Sequence, residues 1–477
     1  MSIRKRLILA LFFALTGFKS ALAANVIPND LGQIIKASGF DQTNIGLYVQ
    51  AVNTAKPVVQ LNDSKKFNPA SVIKLVTTSV ALDLLGPGYQ WSTDVYYTGE
   101  LQGDRLNGDL YFVGNGDPYL TPERFWRLLN RVRIFGIREI QGDVYFDSSF
   151  FQPEPIDYAA FDDQPYRTYN VGPNALLVGF QATEFHFDVD ASKQRVKIIA
   201  FPASPNLKVI NQMQLSNGTC RAWQKRLLLE PKIIHQVLQV KFSGQYARSC
   251  GKRTLYRRVT DAHDHFQHFF LPIWQQLDGS LQGRVRQAKL PEQATKVVSV
   301  DSISLAEAVR LINKYSNNVM TRQMLLSLGA NMRGVPGTAE KGIEVVLHWL
   351  QQHKLDTTTL HLHNGSGLSR DTRVSAELLA QLLLFMYQQA YMPEFLASMP
   401  MAGYDGTMKS RFNGEALFGQ AHIKTGLLDF VQSMAGYVMT PSGQRYVVVM
   451  LHNDKRAHTK AATALQDDIL RWVFKQH

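Results

Sequence analysis

Long hydrophobic runs and cysteines are both scarce in this sequence of 477 residues. The apolar run nearest the N-terminus, Leu7 to Gly17, is far shorter than the ~20 residues that a membrane-spanning helix needs. No later stretch is long and apolar enough to span a membrane either. No group of cysteines and histidines has the spacing of a metal site, and no nucleic-acid-binding module is recognisable. We therefore expect no transmembrane anchor, no metal, no cofactor and no nucleic-acid partner.

The short apolar run at the N-terminus is typical of an export signal. It follows the basic residues Arg4, Lys5 and Arg6, and it is followed by Ala21-Leu22-Ala23, a small-residue pattern at which a signal peptidase cuts. We interpret residues 1–23 as a signal peptide in preference to a retained membrane anchor. The mature chain is then predicted to be soluble and exported, to a bacterial periplasm or its equivalent.

Charge and cysteine content fit an exported protein. The formal charge is +12, and it becomes +8 once the four basic residues of the leader are removed. This balance favours anionic partners such as a cell-wall polymer or a membrane surface. In an oxidising compartment the only two cysteines favour a Cys220–Cys250 bridge over two free thiols.

The length predicts two or three domains. The pattern of apolar residues along the sequence changes twice, from helical to strand-like and back. Helical patterns end at Gly86-Pro87-Gly88, and short alternating strands follow, two of which start with near copies, Gly-Asp-Leu-Tyr-Phe at 108–112 and Gly-Asp-Val-Tyr-Phe at 142–146. Helical patterns return near residue 297, and Ser304 to Glu307 then has the pattern of a capping box. We predict one α/β domain in two parts, residues 24–86 and 297–477, which flank a mostly β insertion at 87–296 that forms two subdomains.

The most informative short motif is Ser71-Val72-Ile73-Lys74. Ser71 is a good N-cap or first-turn residue, and the apolar residues that follow predict a buried helix. Side chains three residues apart share a helix face, so the Lys74 amine can reach the Ser71 hydroxyl and serve as its base if burial keeps that amine neutral. A capping serine followed by a lysine that only lines an apolar surface is the alternative. The same spacing also occurs at Ser2 and Lys5, within the predicted signal peptide, and at Ser249 and Lys252.

Two later motifs carry further polar groups. Ser316-Asn317-Asn318 lies in or at the end of the helix that Ser304 opens, and its hydroxyl and amide are suited to relay a proton and hold a substrate amide. Lys424-Thr425-Gly426 is predicted at the end of a strand, where a cation and a hydroxyl can bind an anionic group. Taken singly, these motifs are also explained as helix-end polarity and a strand-end turn.

In this order, Ser-x-x-Lys, Ser-x-Asn and Lys-Thr-Gly form the signature of penicillin-binding proteins and class A β-lactamases. The sequence most resembles the class C low-molecular-mass penicillin-binding proteins, the D-alanyl-D-alanine carboxypeptidase/endopeptidase family. Three further stretches support this resemblance, at 115–118 (Asn-Gly-Asp-Pro), 364–370 (Asn-Gly-Ser-Gly-Leu-Ser-Arg) and 401–406 (Met-Ala-Gly-Tyr-Asp-Gly). The resemblance implies a split serine DD-peptidase domain, with an antiparallel sheet flanked by helices.

The resemblance also implies a role for each motif. Ser71 would attack the carbonyl between two D-alanines, Lys74 would accept its proton, and Ser316 with Asn318 would pass a proton to the leaving amine. Lys424 and Thr425 would hold the terminal carboxylate. The backbone N–H groups of Ser71 and Leu427 would bind the oxyanion, and Gly426 would leave room for the ligand to approach. The implied partners are peptidoglycan stem peptides, with β-lactam antibiotics as inhibitors.

Two positions depart from the family pattern. Asn317 and Asn364 stand where the family often has aspartate, so each removes a negative charge near the cleft without removing a reacting group. A wall-binding or regulatory protein that keeps the cleft without turnover is therefore an alternative, and a β-lactamase is a third possibility. We also expect Asp163 and Tyr169 to border the pocket.

Overall fold

The computed structural model describes residues 25–476, apart from residues 154, 191 and 236. The predicted signal peptide, residues 1–23, lies outside the described residues. The helices are α1 (Asn29–Ala37), α2 (Lys74–Leu85), α3 (Pro122–Phe135), α4 (Ala262–Gln276), α5 (Leu305–Tyr315), α6 (Asn318–Arg333), α7 (Ala339–Gln352), α8 (Ala376–Tyr387), α9 (Met392–Ser398) and α10 (Lys460–Phe474). The strands before the disulfide region are β1 (Ile45–Ala51), β2 (Val59–Leu61), β3 (Gln90–Tyr97), β4 (Glu100–Gln102), β5 (Arg105–Asn107), β6 (Leu110–Gly114), β7 (Glu139–Ile140) and β8 (Val144–Asp147). The remaining strands are β9 (Thr183–Asp190), β10 (Arg195–Phe201), β11 (Leu207–Ser216), β12 (Leu227–Ile234), β13 (Val237–Ala247), β14 (Arg253–Arg257), β15 (Ser280–Leu281), β16 (Val285–Gln287), β17 (Thr295–Ser304), β18 (Ala421–Leu428), β19 (Val431–Met439) and β20 (Arg445–Asn453).

A five-stranded antiparallel sheet organises the domain that is split in sequence. Its order is β18-β19-β20-β1-β2, so the N-terminal hairpin pairs with strands from the C-terminal end of the chain. Successive side chains of a strand face opposite sides, and β20 shows this alternation. Val447 and Val449 belong to a core shared with α2, α5, α6, α7 and α8, whereas Val448 and Met450 pack with α1 and α10. The predicted antiparallel sheet flanked by helices is confirmed.

Helix α2 is buried on all sides, as its apolar sequence predicts. Every residue from Lys74 to Leu82 is buried, and Gly86 ends the helix with a positive φ of 80°. The position of Ser71 differs from the N-cap that the sequence allowed. A single 3-10 turn, Ala70–Ile73, runs directly into α2, and within the described residues the Ser71 hydroxyl accepts a hydrogen bond from Lys74 and none from a backbone N–H. Ser71 is therefore a first-turn residue.

The other predicted helices are present with small shifts at their ends. Ser304 and Glu307 form the predicted capping box, because the Glu307 N–H donates to the Ser304 hydroxyl and the Glu307 carboxylate accepts from the Ser304 N–H. Helices α1, α4, α6 and α9 were not predicted. Helix α6 is buried on most of its surface, so its sequence lacks the polar stripe that marks a half-exposed helix.

The insertion begins with two sheets that pack with α3 and α4. Their orders are β16-β8-β6-β3-β17 and β15-β7-β5-β4. The two near-copy segments form β6 and β8, which lie side by side in parallel with Tyr111 opposite Tyr145. The two tyrosine rings stack with their centroids 4.7 Å apart. The two segments are therefore equivalent strands, as predicted, and they lie next to each other in register.

Two three-stranded sheets complete the insertion, in the orders β10-β9-β14 and β11-β13-β12. They share a small core that includes Phe185, Phe187 and Phe242. The predicted Cys220–Cys250 disulfide is present, and Cys250 lies in the same core. Since a core of this size buries little apolar surface, the covalent link is expected to contribute much of the stability of this region.

The boundaries of the insertion remain a prediction. Gly86 ends α2 and β3 starts four residues later, so the predicted first boundary, 86/87, falls between two elements. The predicted second boundary, 296/297, falls inside strand β17, which pairs with β3 along most of its length. We propose that the insertion instead ends at Ser304, the residue that caps α5. No helix within the described part of the chain is long and apolar enough to cross a membrane.

Replacing Cys220 and Cys250 together by serine should loosen the outer sheets of the insertion. The bridge joins residues 30 apart in sequence, and closing such a loop is expected to contribute about 3–4 kcal/mol in the chain-entropy model. Hydrogen exchange should become faster at residues 183–257 and stay unchanged in β1, β19 and β20. Unchanged exchange in the outer sheets would contradict this assignment.

Candidate active site

Ser71 and Lys74 meet at the junction between the 3-10 turn and α2. The distance between Lys74 Nζ and Ser71 Oγ is 3.0 Å. Lys74 is fully buried, whereas Ser71 also lines an open cleft. The predicted pairing of these two side chains is therefore present, with the hydroxyl on the side from which a ligand would approach.

The buried Lys74 amine has two further neighbours, both of which are hydrogen-bond acceptors. Nζ donates to Asn318 Oδ1 at 2.6 Å and to the backbone carbonyl of Ser366. The hydrogen-bond partners of Lys74 Nζ among the described residues are Ser71, Asn318 and Ser366, none of which is a carboxylate. Burial holds the pKa of Lys74 well below its ordinary value, and the positive charges of Lys424 and Arg322 lower it further.

The Ser316-Asn317-Asn318 motif forms the corner between α5 and α6. Ser316 ends α5 with a left-handed backbone, at a φ of 57°. Asn317 caps α6, since its side chain accepts a hydrogen bond of 3.0 Å from the N–H of Met320. Asn318 is the first residue of α6. The corner thus presents Ser316 and Asn318 together toward the cleft, and Asn317 keeps the capping role that an aspartate would also fill.

Lys424 lies inside a strand and not at its end, which corrects the sequence prediction. Strand β18 continues to Leu428, because Leu427 and Leu428 pair with the first residues of β19 across a tight connection. Lys424 is fully buried, its Nζ donates to Ser316 Oγ at 3.0 Å, and burial lowers its pKa to about 7. The hydrogen bond to Ser316 therefore joins Lys424 to the corner between α5 and α6.

Gly426 allows β18 to approach the turn that carries Ser71. A Cβ atom at Gly426 would lie 2.7 Å from the Pro69 carbonyl oxygen and 3.0 Å from the Ser71 nitrogen. The N–H of Ile423 points away from β19, since it donates to the Pro400 carbonyl. Hydrogen-bonding direction alternates along a strand, so the N–H of Leu427 points to the same open edge. The Leu427 N–H thus lies on the side of β18 that faces the cleft.

The Asn364–Gly367 stretch supplies the carbonyl that contacts Lys74. A side chain at Gly367 would overlap the Ala70 carbonyl at 2.0 Å, so this loop packs directly against the turn that carries Ser71. Asn364 holds the loop, because its Oδ1 accepts from the Ser366 N–H and hydroxyl while its Nδ2 donates to the Leu368 carbonyl. An aspartate could not make the last bond.

The cleft above Ser71 has a volume of about 610 Å³ and carries charges of both signs. Its walls include Asp162, Arg370 and Asp429. Tyr169 lines the cleft as expected. Asp163 does not, and its neighbour Asp162 takes that place by accepting a hydrogen bond from the Tyr169 hydroxyl at 2.5 Å. The cleft is therefore suited to a polar, charged ligand.

A comparison with protein-family models matches residues 28–475 to the D-Ala-D-Ala carboxypeptidase 3 (S13) family. The chain belongs to this family. The predicted family and enzyme class, a serine-type D-Ala-D-Ala carboxypeptidase, are thereby confirmed.

Curated relatives of this S13 family member extend over most of its length. It is 27% identical over 436 residues to a D-alanyl-D-alanine carboxypeptidase of Actinomadura sp. (strain R39), covering 87% of this chain and 79% of that protein. It is 23% identical over 464 residues to D-alanyl-D-alanine carboxypeptidase DacB of Haemophilus influenzae, covering 95% of both.

Solved structures share the fold of this S13 family member. Penicillin-binding protein 4 of Haemophilus influenzae superposes with a TM-score of 0.79 at 22% identity, over 94% of this chain and 100% of that one. A predatory endopeptidase of Bdellovibrio bacteriovorus gives a TM-score of 0.53 at 16% identity, over 90% of this chain and 92% of that one. These likenesses confirm the predicted α/β fold with its large insertion.

Some groups at the site were not found by sequence reasoning. Arg322 lies one helical turn after Asn318 on α6, and its Nη2 donates to the Tyr169 carbonyl at 2.6 Å. The i, i+4 spacing from Asn318 was the available signal. The Ser366 carbonyl belongs to a stretch that the resemblance singled out, but no side-chain pattern reveals a backbone acceptor. The hydrogen bond from the Thr425 hydroxyl to Thr407 likewise had no signal in sequence.

Replacing Gly426 by alanine should displace the Ser71 turn from β18. The new Cβ would press on the Pro69 carbonyl and the Ser71 nitrogen, which are backbone atoms that cannot rotate away. We expect labelling of the protein by a fluorescent penicillin to slow by more than tenfold while the far-ultraviolet circular dichroism stays the same. Gly88→Ala serves as a control, because Gly88 is exposed, has no positive φ, and no described atom lies within 4 Å of a Cβ there. Labelling at the parental rate would contradict this packing argument.

Proposed function

We propose that this S13 family member cleaves the D-alanyl-D-alanine bond of peptidoglycan stem peptides through an acyl-enzyme on Ser71. The observation that carries the proposal is the position of the buried Lys74 amine, 3.0 Å from the Ser71 hydroxyl. Ser71 Oγ attacks the carbonyl carbon between the two D-alanines as its proton passes to Lys74. The terminal D-alanine leaves as a free amine, and water then releases the acyl group from Ser71.

The hydrogen bonds around Lys74 suit a neutral amine. A neutral amine has two N–H groups and one lone pair, whereas an ammonium has three donors. Asn318 Oδ1 and the Ser366 carbonyl can only accept, so together they take both N–H groups of the neutral form. The lone pair then faces Ser71 Oγ and can accept its proton. Burial and the neighbouring cations favour this neutral form.

The residues of the other two motifs protonate the leaving group and bind the substrate. Ser316, 3.0 Å from Lys424 Nζ, relays to the leaving amine the proton that Lys74 took from Ser71, and Asn318 holds the substrate amide. Lys424 and Thr425 bind the terminal carboxylate. The Ser71 and Leu427 N–H groups bind the developing oxyanion at the site where Gly426 lets the strand approach.

β-Lactams are expected to acylate the same serine and to leave slowly. Incubation with a D-Ala-D-Ala peptide and with a penicillin tests this activity, which predicts release of D-alanine and a long-lived penicillin adduct. Binding of the peptide without D-alanine release, as in a wall-binding protein, or rapid penicillin hydrolysis, as in a β-lactamase, would contradict the proposal. We also propose export to the periplasm, which N-terminal sequencing of the mature protein tests by a start at Ala24.

The Ser71→Ala variant tests the nucleophile. It should release no D-alanine and form no penicillin adduct by mass spectrometry, with its fold intact. Ser249→Ala is the matched control, because Ser249 starts the second Ser-x-x-Lys motif but lies in the insertion, where its hydroxyl donates to the Gly218 carbonyl. An adduct that persists in Ser71→Ala, or is lost in Ser249→Ala, would refute the assignment.

The Lys424→Ala variant tests carboxylate binding. A charge-assisted hydrogen bond of roughly 1.5–3 kcal/mol corresponds to a loss of about 10- to 150-fold in kcat/KM for D-alanine release. Lys409→Ala, at an exposed lysine of the neighbouring turn, should have no effect. Activity of Lys424→Ala within twofold of the parent would show that Lys424 does not bind the carboxylate.

The pH dependence follows from the opposite charge states that the two lysines need. Lys74 must be neutral, so kcat/KM should rise with pH through the lowered pKa of Lys74. Lys424 must be charged, so kcat/KM should fall as pH rises through its pKa of about 7. In Lys424→Arg the guanidinium stays charged and the alkaline fall should move to higher pH. An unchanged alkaline limb in Lys424→Arg would assign it to another group.

A further inference from the structure

We propose that an uncharged aromatic cavity beside Ser316 binds one sugar ring of the glycan strand that carries the substrate peptide. This inference rests on the proposed function, because it assigns a further part of the same substrate. The cavity has a volume of about 310 Å³, at the lower end of the range for ligand pockets. Its side walls are formed by Thr168, Tyr169, Phe180, Tyr256, Tyr315 and Val319.

The aromatic cavity and the cleft above Ser71 lie on opposite sides of a shared wall. Tyr169, Tyr315, Ser316 and Asn318 line both. A ligand held at Ser316 can therefore extend into either space without leaving the protein surface. The aromatic cavity lies on the Asn317 side of the corner, away from Ser71 and from the strand edge at Leu427.

The two spaces differ in charge. Asp162, Arg370 and Asp429 line the cleft above Ser71, whereas none of the described residues that line the aromatic cavity is charged. A peptide segment with ionised carboxylates would lose hydration in the aromatic cavity without gaining a cation there, which is costly. A neutral ligand with many hydroxyl groups avoids this cost. The N-acetylated amino sugars of a glycan strand have this character, and the stem peptide is attached to that strand.

The tyrosines offer the two kinds of contact that a pyranose ring needs. Tyr169, Tyr256 and Tyr315 are 36%, 50% and 66% exposed, so their ring faces are open to the C–H groups of a sugar. Within the described residues, the hydroxyls of Tyr256 and Tyr315 make no hydrogen bond and are free to bind sugar hydroxyls. Such amphipathic rings bury apolar area while keeping a polar end available.

Part of the wall is held rigidly before a ligand arrives. The Tyr169 carbonyl accepts from Arg322 and its hydroxyl donates to Asp162. Phe180 makes an edge-to-face contact with Tyr119, at 6.0 Å between ring centroids. The backbone of Tyr256 is held in β14, where it pairs with Glu184 of β9. Ordering the rings of Tyr169 and Phe180 in advance lowers the entropy cost of binding.

The assignment gives the insertion a role in substrate choice. Tyr169, Phe180 and Tyr256 come from the insertion, and Tyr315 and Val319 come from the peptidase part. A short D-Ala-D-Ala peptide would use only the cleft above Ser71, whereas a peptide still attached to its glycan would use both spaces. The structure thus assigns to this chain a preference for glycan-linked substrate.

The test compares KM for a free stem peptide and for the same peptide attached to its disaccharide. The parent should have the lower KM for the attached peptide. Tyr256→Ala should raise that KM by roughly 5- to 10-fold and so remove the preference, as loss of one aromatic contact implies. Tyr256→Phe should restore most of it because the ring is kept. Trp126→Ala removes another exposed ring, on α3, and should preserve the preference.

A binding measurement separates this inference from the proposed function. Calorimetric titration of the full-length mature protein with a peptide-free disaccharide of N-acetylglucosamine and N-acetylmuramic acid, whose lactyl carboxylate is blocked as an amide so that the probe is neutral, should show saturable binding that Tyr256→Ala weakens. No binding to the parent would overturn the inference even if D-alanine is released. A KM increase of equal size for both substrates in Tyr256→Ala would assign the cavity to peptide and also overturn it. Absence of D-alanine release would refute the proposed function alone, because the titration does not depend on turnover.

Discussion

The arrangement of the site depends on burying Lys74 without a counter-ion. Its amine is fully enclosed, and its contacts are two oxygen acceptors and the Ser71 hydroxyl. An ammonium in such a place would need a carboxylate to offset the loss of hydration. The described residues provide none in contact with it, and two further cations stand near. The surroundings therefore favour the neutral amine, which is the form that can accept a proton from serine.

Several separate segments have to converge to create this environment. Helix α2 brings Lys74, the α5–α6 corner brings Asn318, and the Asn364–Gly367 loop brings a carbonyl oxygen. Glycine makes two of the close approaches possible, at Gly367 against Ala70 and at Gly426 against Ser71. The sheet fixes β18 beside the 3-10 turn, while the cores on its two faces hold the surrounding helices. Tight backbone packing thus creates the surroundings in which Lys74 can accept a proton from Ser71.

Sequence reasoning predicted the parts of this site that are carried by side chains at fixed spacing. The Ser71 and Lys74 pair, the Ser316 corner and the Lys424 strand are all close together in the structure. The split sheet and the disulfide were also predicted correctly. Contributions from the backbone were not predictable, as the Ser366 carbonyl shows. The end of β18 was placed too early because a tight connection at Asp429 and Phe430 carries no glycine or proline signal. Helix α6 was missed because burial on most sides removes the amphipathic pattern.

The charge state of Lys74 is the central claim, and nuclear magnetic resonance can measure it directly. Protein labelled with ¹³C at the lysine ε-carbon should give a Lys74 signal that the Lys74→Met variant identifies by its disappearance. The account predicts a signal with the chemical shift of a neutral amine at pH 7, and a titration midpoint well below the ordinary lysine value of about 10.4. A Lys74 signal that stays in the ammonium form up to pH 10 would contradict the account.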